Sequence, residues 1–391
     1  MSLKNKACVV GIGSTEFTRN AGRSEIHLAV DAVTAACVDA GLEIDQIDGM
    51  SSYGTAGIYA AELAPDIDVA RSLGIPNLRY FGQTPWGGGA SCGTVAHAAM
   101  AVASGVANYV VCYRSLKPAS GTVRYGRPTA IPAEYRYSYY MPFGFASPTM
   151  WVAMQAQRWM HETGATREQL GYVALVCREN ALRNPRAMFY GRPLTMEEYL
   201  HSPMSSEPFT LHDTCLENDG AVALIVTTPE RARDLKQKPA FISGVGFGTS
   251  YDSHSMTSFY RDSIGLPECR EAAREVFRSA EMTPKDIDVA QLYDAFTVTV
   301  PMQLETYGFC QYGEGGAFCQ GGDRIRLGGE LPINTSGGML AEAYIHGMNM
   351  IAEGVRQVRG TSTSQVKDAQ NVLVTGGLGV PTTALILTQG N

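Results

Sequence analysis

The chain is built twice, and this limits its fold more than any other feature. "CVVGIG" (8–13) is an apolar, β-rich run ending in glycines. It leads into "LAVDAVTAACVDAGLEIDQIDGM" (28–50), where small and apolar residues recur at helical spacing up to Gly41, a helix stop. The second half repeats the plan with "AFISGVGFG" (240–248) as strand and "REAAREVFRSAEMTPKDIDVAQLYDAF" (270–296) as helix and next strand. Setting Ala32 on Ala272 also sets Ala40 on Ala280, Leu42 on Met282, and Ile47-Asp48 on Ile287-Asp288. Later pieces match more loosely. "GGGASCGTVAHAAMAVASGVANYVVCYRS" (87–115) and "SGGMLAEAYIHGMNMIAEGVRQVRG" (336–360) with "NVLVTGGLG" (371–379) each read as glycine turn, helix and apolar strand. Such strand–helix–strand repetition calls for parallel strands joined by crossover helices, hence a duplicated α/β core sharing a middle layer of helices.

Composition excludes several classes. The 391 residues suffice for two or more domains. The formal net charge is −7 with no long basic run, which argues against nucleic-acid binding. No apolar run reaches the roughly 18 residues of a membrane span. The N-terminal "MSLKNKACVVGIGSTEF" lacks a signal-peptide cleavage pattern, so a cytoplasmic location is expected. The nine cysteines are odd in number and none forms C-x-x-C, which disfavours disulfides and zinc sites. No metal and no separate cofactor is expected.

Between the halves lies an irregular segment, about 115–205, rich in tyrosine, proline and glycine around "RYGRPTAIPAEYRYSYYMPFGFASP". It reads as a loop insertion serving as lid, dimer seam or partner surface.

Four patterns then fall in order: "HDTCLENDGAVALIVTTPERA" (212–232), "LYDAF" (292–296), "NTSGGMLAEAYIHG" (334–347) and "VLVTGGLG" (372–379). On a duplicated chain they resemble the thiolase superfamily, over nearly the whole length. The resemblance implies an α-β-α-β-α layering with two mixed, mainly parallel sheets. It divides the chain into halves at 1–235, including the insertion, and 236–391.

The departures carry the functional information. Laying the family's C-x-S-G on "ASCG" puts Ala90 at the nucleophile's place. The histidine of G-H-P falls on Tyr344, the second-half cysteine on Leu373, and the Asn or His of the oxyanion segment on Tyr293. Alanine and leucine can neither attack a thioester nor move a proton. Cys92 lies two residues on from Ala90, near a helix N-terminus that can lower a thiol pKa. A two-residue shift would make it the nucleophile but would turn it about 200° round the helix, so it reads as a packed cysteine.

Tyrosines at those two positions resemble the steroid side-chain aldolases within the sterol-carrier-protein thiolase-like proteins. The resemblance implies retro-aldol cleavage of a steroid-type β-hydroxyacyl-CoA to a ring ketone and a short acyl-CoA such as propionyl-CoA. Tyr293 and Tyr344 are the catalytic candidates, CoA being part of the substrate. Ala90, Cys92, Asn334, Gly337, Gly338, Gly376 and Gly377 are the candidates for shaping the substrate site. Such a cleavage needs a base, a polariser for the thioester enolate and a proton, but no acyl-enzyme. Tyr344 is read as base or relay and Tyr293 as donor, with the opposite assignment open. Glu342 and His346 are tempting relays, yet on a regular helix they would point away from Tyr344. His97 reads as a helix-face residue, and His212 and Asp213 show no partner in the sequence. The glycines of "GIGSTEF" and "GVGFGTS" read as strand-end turns rather than a dinucleotide fingerprint.

The resemblance further implies a homodimer and a small zinc-ribbon/OB-fold partner protein. Tyr125, Tyr135, Tyr137, Tyr139 and Tyr140, with Arg124, Arg127 and Arg136, are residue types enriched at interfaces. Two alternatives stay open at this point. One is an acyltransferase (thiolase) using Cys92. The other is a lipid-binding protein without catalysis.

Overall fold

The structure, a computed structural model, describes residues 3–54, 64–85, 87–121, 139–251, 256, 261–262, 264–377 and 380–390. The first half runs β1 (Cys8–Ser14), α1 (Glu25–Ala40), β2 (Gly49–Tyr53), α2 (Asp66–Leu73), β3 (Tyr80–Thr84), α3 (Ala90–Ala103) and β4 (Val110–Leu116). Next come α4 (Pro148–Thr163), α5 (Arg167–Ala181), α6 (Met196–His201) and the short strands β5 (Met204–Ser206) and β6 (Phe209–Thr210). β7 (Gly220–Thr227) and α7 (Pro229–Ala232) close that half. The second half runs β8 (Ala240–Gly248), α8 (Pro267–Ala280), β9 (Val289–Gln291), α9 (Thr299–Thr306), α10 (Gly315–Cys319), α11 (Gly338–Ala341), α12 (Met348–Arg359), β10 (Asn371–Gly376) and β11 (Thr382–Thr388).

The strand order β3-β2-β4-β7-β1-β8-β11-β10-β9 makes the duplication visible. Outward from the centre, β1, β7, β4 and β2 match β8, β11, β10 and β9. In each half one strand, β7 or β11, runs against all the others. The sheet is mixed, as the sequence reading expected, but the two halves join edge to edge into one nine-stranded sheet rather than two, and antiparallel pairings outnumber parallel ones. The halves meet where β1 pairs with β8, Cys8 opposite Phe241 and Val9 opposite Ala240. α3 and α12 form the shared middle layer. Residues Met348 to Val358 of α12 are buried without interruption. Two flanking layers bury the helix all round, and its polar residues Glu353 and Gln357 are satisfied inside, Thr335 Oγ1 donating to Glu353 at 2.7 Å and accepting from Gln357 at 2.9 Å.

The glycines of β1 and β8 correct the sequence reading, because they lie inside strands rather than in strand-end turns. A Cβ on Gly13 would stand 2.2 Å from the Ala32 carbonyl oxygen, and one on Gly246 2.1 Å from that of Ala272. Glycine there lets the α1 and α8 backbones rest directly on their strands. The same two contacts explain why Ala32 and Ala272 align.

A second correction concerns the insertion, part of which is helical. α4 buries Trp151, Val152, Gln155, Ala156 and Trp159 along one face, and Ser147 caps its N-terminus. α5 begins with a capping box of Thr166 and Gln169. Tyrosines and prolines nearby hide this periodicity. Arg124, Tyr125, Arg127, Tyr135, Arg136 and Tyr137 lie outside the described residues. Among the described residues no helix is long and apolar enough to cross a membrane.

Candidate active site

Tyr293 follows β9 and its backbone is fixed on every side. Its N–H donates to Thr375 Oγ1 at 2.8 Å, and its carbonyl accepts from Thr299 Oγ1 at 2.5 Å and Gln303 Nε2 at 2.8 Å. Thr375 Oγ1 in turn donates to Gln303 Oε1 at 2.5 Å, closing the loop. One residue earlier, Leu292 N–H donates to Asn334 Oδ1 (2.8 Å) and its carbonyl accepts from Asn334 Nδ2 (3.0 Å). Both ends of the Asn334 amide are thus engaged in bracing "LYDAF" to "NTSGG". The Tyr293 ring lies over Gly88, where a Cβ would come within 2.3 Å of its Cζ. Burial pushes the Tyr293 phenol well above its ordinary value, Tyr53, Cys215 and Asp294 adding to the effect, while a hydrogen bond from Tyr344 works against it.

The Tyr344 segment departs from the continuous helix expected from sequence. α11 ends at Ala341 and α12 starts only at Met348. Asp294 holds the entrance, accepting from the N–H groups of Met339 at 2.8 Å and Leu340 at 3.4 Å. Burial raises this carboxyl to about 6, and those N–H donors hold it down. Gly337 and Gly338 have φ of 110° and 62°, and a Cβ on Gly338 would lie 2.1 Å from Asp294 Oδ2. Both glycines therefore shape the turn. His346 (φ 50°) and Gly347 (φ 88°) turn the chain again before α12.

That broken geometry decides where the neighbours of Tyr344 go. Tyr344 N–H donates to Asn218 Oδ1 at 2.7 Å. Glu342 points to the other side, accepting from Ser336 (2.7 Å), Asn184 (3.0 Å) and Asn349 (3.0 Å). His346 does the opposite of the helix-based expectation. Its ring centroid lies 4.6 Å from that of Tyr344, because the segment is not helical. On its other side it stacks on Tyr53 at 4.7 Å. Arg114, on β4, donates from Nε to His346 Nδ1 at 3.2 Å and from Nη1 to the Tyr53 carbonyl at 3.3 Å. Burial, and then Arg114, hold His346 well below its ordinary pKa.

The first half supplies a floor of small residues. Ala90 opens α3 and is buried. Ser91 Oγ donates to the Gly88 carbonyl at 3.1 Å. Gly376 sits against Ser91, 2.6 Å from Oγ to an added Cβ, and Gly347 approaches the same hydroxyl at 3.1 Å. Gly377 (φ 100°) lies on Gly89. Cys92 is fully buried with Sγ 3.6 Å from the Val374 carbonyl, and burial pushes its thiol up to about 12. A thiol so placed is inert. Asp213 proves to have partners, accepting from Tyr199 at 2.5 Å and Thr297 at 2.6 Å, and braces the fold away from the tyrosines. His97 lies on α3 beside Thr84 and Phe247.

Sequence reasoning missed Ser91, Tyr53 and Arg114. For Arg114 a signal existed, a charged residue in an otherwise apolar strand. For Tyr53 and Ser91 there was none. The assembled groups are the phenols of Tyr293 and Tyr344, a neutral imidazole and a buried guanidinium over a glycine floor. Among the described residues no group of three His, Cys, Asp or Glu side chains is placed to hold a metal ion.

Residues 249–389 match the thiolase C-terminal domain-like family. The chain is 49% identical over 392 residues to the steroid side-chain-cleaving aldolase of Thermomonospora curvata, covering 98% of each. It is 46% identical over 396 residues to the 17-hydroxy-3-oxo-4-pregnene-20-carboxyl-CoA lyase of Mycobacterium tuberculosis, covering 98% of this chain and 100% of that one. Among solved structures, the Ltp2-ChsH2(DUF35) aldolase superposes with a TM-score of 0.93 at 48% identity, covering 99% of both chains.

Proposed function

We propose, from the premise that this chain belongs to the thiolase-like family of steroid side-chain-cleaving aldolases, that Tyr293 and Tyr344 carry its reaction. The enzyme is a carbon–carbon lyase acting on CoA thioesters. Its substrate is a steroid-type β-hydroxyacyl-CoA with a tertiary alcohol on the ring. The hydroxyl proton leaves and the Cα–Cβ bond breaks. The electron pair passes into the thioester as an enolate, and a proton returns to Cα. The products are a ring ketone and a short acyl-CoA such as propionyl-CoA, with no water consumed and no redox change.

What supports the tyrosine assignment is that the Tyr293 ring rests on Gly88 and on Gly347, in the same turn that carries Tyr344, while Cys92 is withdrawn as a buried thiol on the Val374 carbonyl. Burial keeps Tyr293 protonated, which suits a donor to the thioester oxygen or the nascent carbanion. Tyr344 then accepts or relays the hydroxyl proton. A phenol of ordinary pKa is only ~0.1% ionised at pH 7, a handicap of about 4 kcal/mol. Glycine at 88 and 347 lets the Tyr293 ring rest directly on the backbone, and glycine at 376 does the same for Ser91.

The chain works as a homodimer with a partner of the kind named in the Ltp2-ChsH2(DUF35) structure, read here as the small zinc-ribbon/OB-fold protein. Phe143, beside the tyrosine-rich run of the insertion, is 86% exposed and offers an aromatic face to such a partner. The test is turnover of a steroid β-hydroxyacyl-CoA with and without the co-expressed partner, followed by product masses and light scattering. Ketone and short acyl-CoA, with turnover rising on addition of the partner, are expected. Absence of both products in the complex contradicts the reaction. Full activity from the isolated chain, with no mass change on adding the partner, removes the partner.

A further inference from the structure

We propose that Arg114 and His346 are positioning residues for Tyr344, an inference that rests on the aldolase reading above and deepens it. Three strands of geometry meet at His346. Arg114 Nε donates to its Nδ1 at 3.2 Å, so Nδ1 is an acceptor. A neutral imidazole accepting at Nδ1 carries its proton on Nε2, which fixes the tautomer. The ring is clasped between two tyrosines, stacked on Tyr53 at 4.7 Å and tilted against Tyr344 at 4.6 Å. The same guanidinium lies 4.7 Å from the Tyr53 ring centroid and donates to that residue's carbonyl, so one cation ties β2, β4 and the Tyr344 turn together.

The arrangement is built at a cost. Arg114 is 3% exposed and His346 4%. His346 also holds a positive φ of 50°, a conformation uncommon outside glycine that histidine tolerates better than most side chains. A turn that served only to reach α12 could use glycine there, as the next residue does. The histidine at this position brings an imidazole against the phenol that moves the proton. A phenol that must meet a substrate hydroxyl in line gains rate from being held in one orientation. Arg114 acts one step further out by holding the imidazole. Neither residue is assigned contact with the substrate.

The experiment is a double-mutant cycle on the complex of chain and partner, reading kcat and KM separately. His346→Asn suits the purpose, since asparagine tolerates positive φ and can still accept from Arg114 while withdrawing the ring. Arg114→Met keeps the stem and removes the donors. Each is expected to lower kcat by about 10–100-fold with KM within about twofold. In a Tyr344→Phe background each should cost less than about twofold further, since the residue it positions has lost its hydroxyl. Full kcat in both single variants, or losses that multiply undiminished in the Tyr344→Phe background, overturns the inference. If one variant fails to fold, the other completes its own cycle. If both unfold, the residues serve the fold and the inference is wrong. A crippled Tyr344→Phe beside fully active Arg114 and His346 variants sinks this inference alone, whereas a fully active Tyr344→Phe sinks the tyrosine reading and this inference with it.

Discussion

The two glycine-to-helix junctions of the middle layer began as copies and now do different work. In the first half, Gly87–Gly89 turn directly into α3, whose opening residues Ala90, Ser91 and Cys92 are small and buried. In the second half the chain stops at Ala341, crosses six residues irregularly and restarts at Met348. The unbroken junction offers a floor. The broken one swings Tyr344 and His346 together, which a regular helix would have kept apart. On the proposed tyrosine reading, the chemistry sits where the duplication fails and the symmetric parts serve as scaffold.

The comparison is broken most sharply at the tyrosines. Tyr344→Phe and Tyr293→Phe remove only hydroxyls. Each should lower kcat by about 10²–10⁴-fold with the melting temperature nearly unchanged. Near-normal cleavage by both would make the second-half junction as passive as the first. The floor is tested next. Gly88→Ala drives a Cβ to 2.3 Å from Tyr293 Cζ and must displace that ring. A loss of about 10–100-fold in kcat, with circular dichroism retained, is expected; unchanged kcat would show that the ring position is not critical.

How far the sequence reveals each junction follows from the forces involved. Ala32 and Ala272 could be aligned because both press a helix onto a strand glycine, a packing constraint repeated identically. Tyr293, Tyr344, Gly337 and Gly338 could be singled out because motif spacing survives divergence. The broken helix could not. It depends on Asp294, Asn218 and Glu342 gripping the turn across the fold, at tertiary contacts that leave no local periodicity. Asn218 and Asp294 even stood inside two quoted motifs without revealing that role. The helices of the insertion were hidden for another reason, since the tyrosine- and proline-rich run beside them dominated the composition. The glycines of β1 and β8 misled because close helix approach and a turn favour the same residue.

A pH measurement sharpens the contrast. The unfolded chain's His346 binds a proton below about pH 6.5 while the folded one, held well below that value by burial and Arg114, does not. Below that pH the unfolded state binds more protons, so this group lowers stability as pH falls and is silent above it. Between pH 7 and 5.5 the wild type should lose ~1 kcal/mol more than His346→Asn does. Equal slopes would mean that His346 is not buried as described. The smallest effect belongs to the first-half junction. Cys92→Ala should keep kcat within about threefold while costing about 1 kcal/mol of stability.

The central claim is that carbon–carbon cleavage here proceeds without an acyl-enzyme, through the second-half tyrosines. Intact-protein mass, taken during turnover of a steroid β-hydroxyacyl-CoA by the complex, tests it most directly when the products are weighed in the same sample. The account predicts a ring ketone and a short acyl-CoA accumulating while the chain's mass stays unchanged. An acyl adduct on the chain that maps to Cys92 and disappears in Cys92→Ala together with turnover would contradict it.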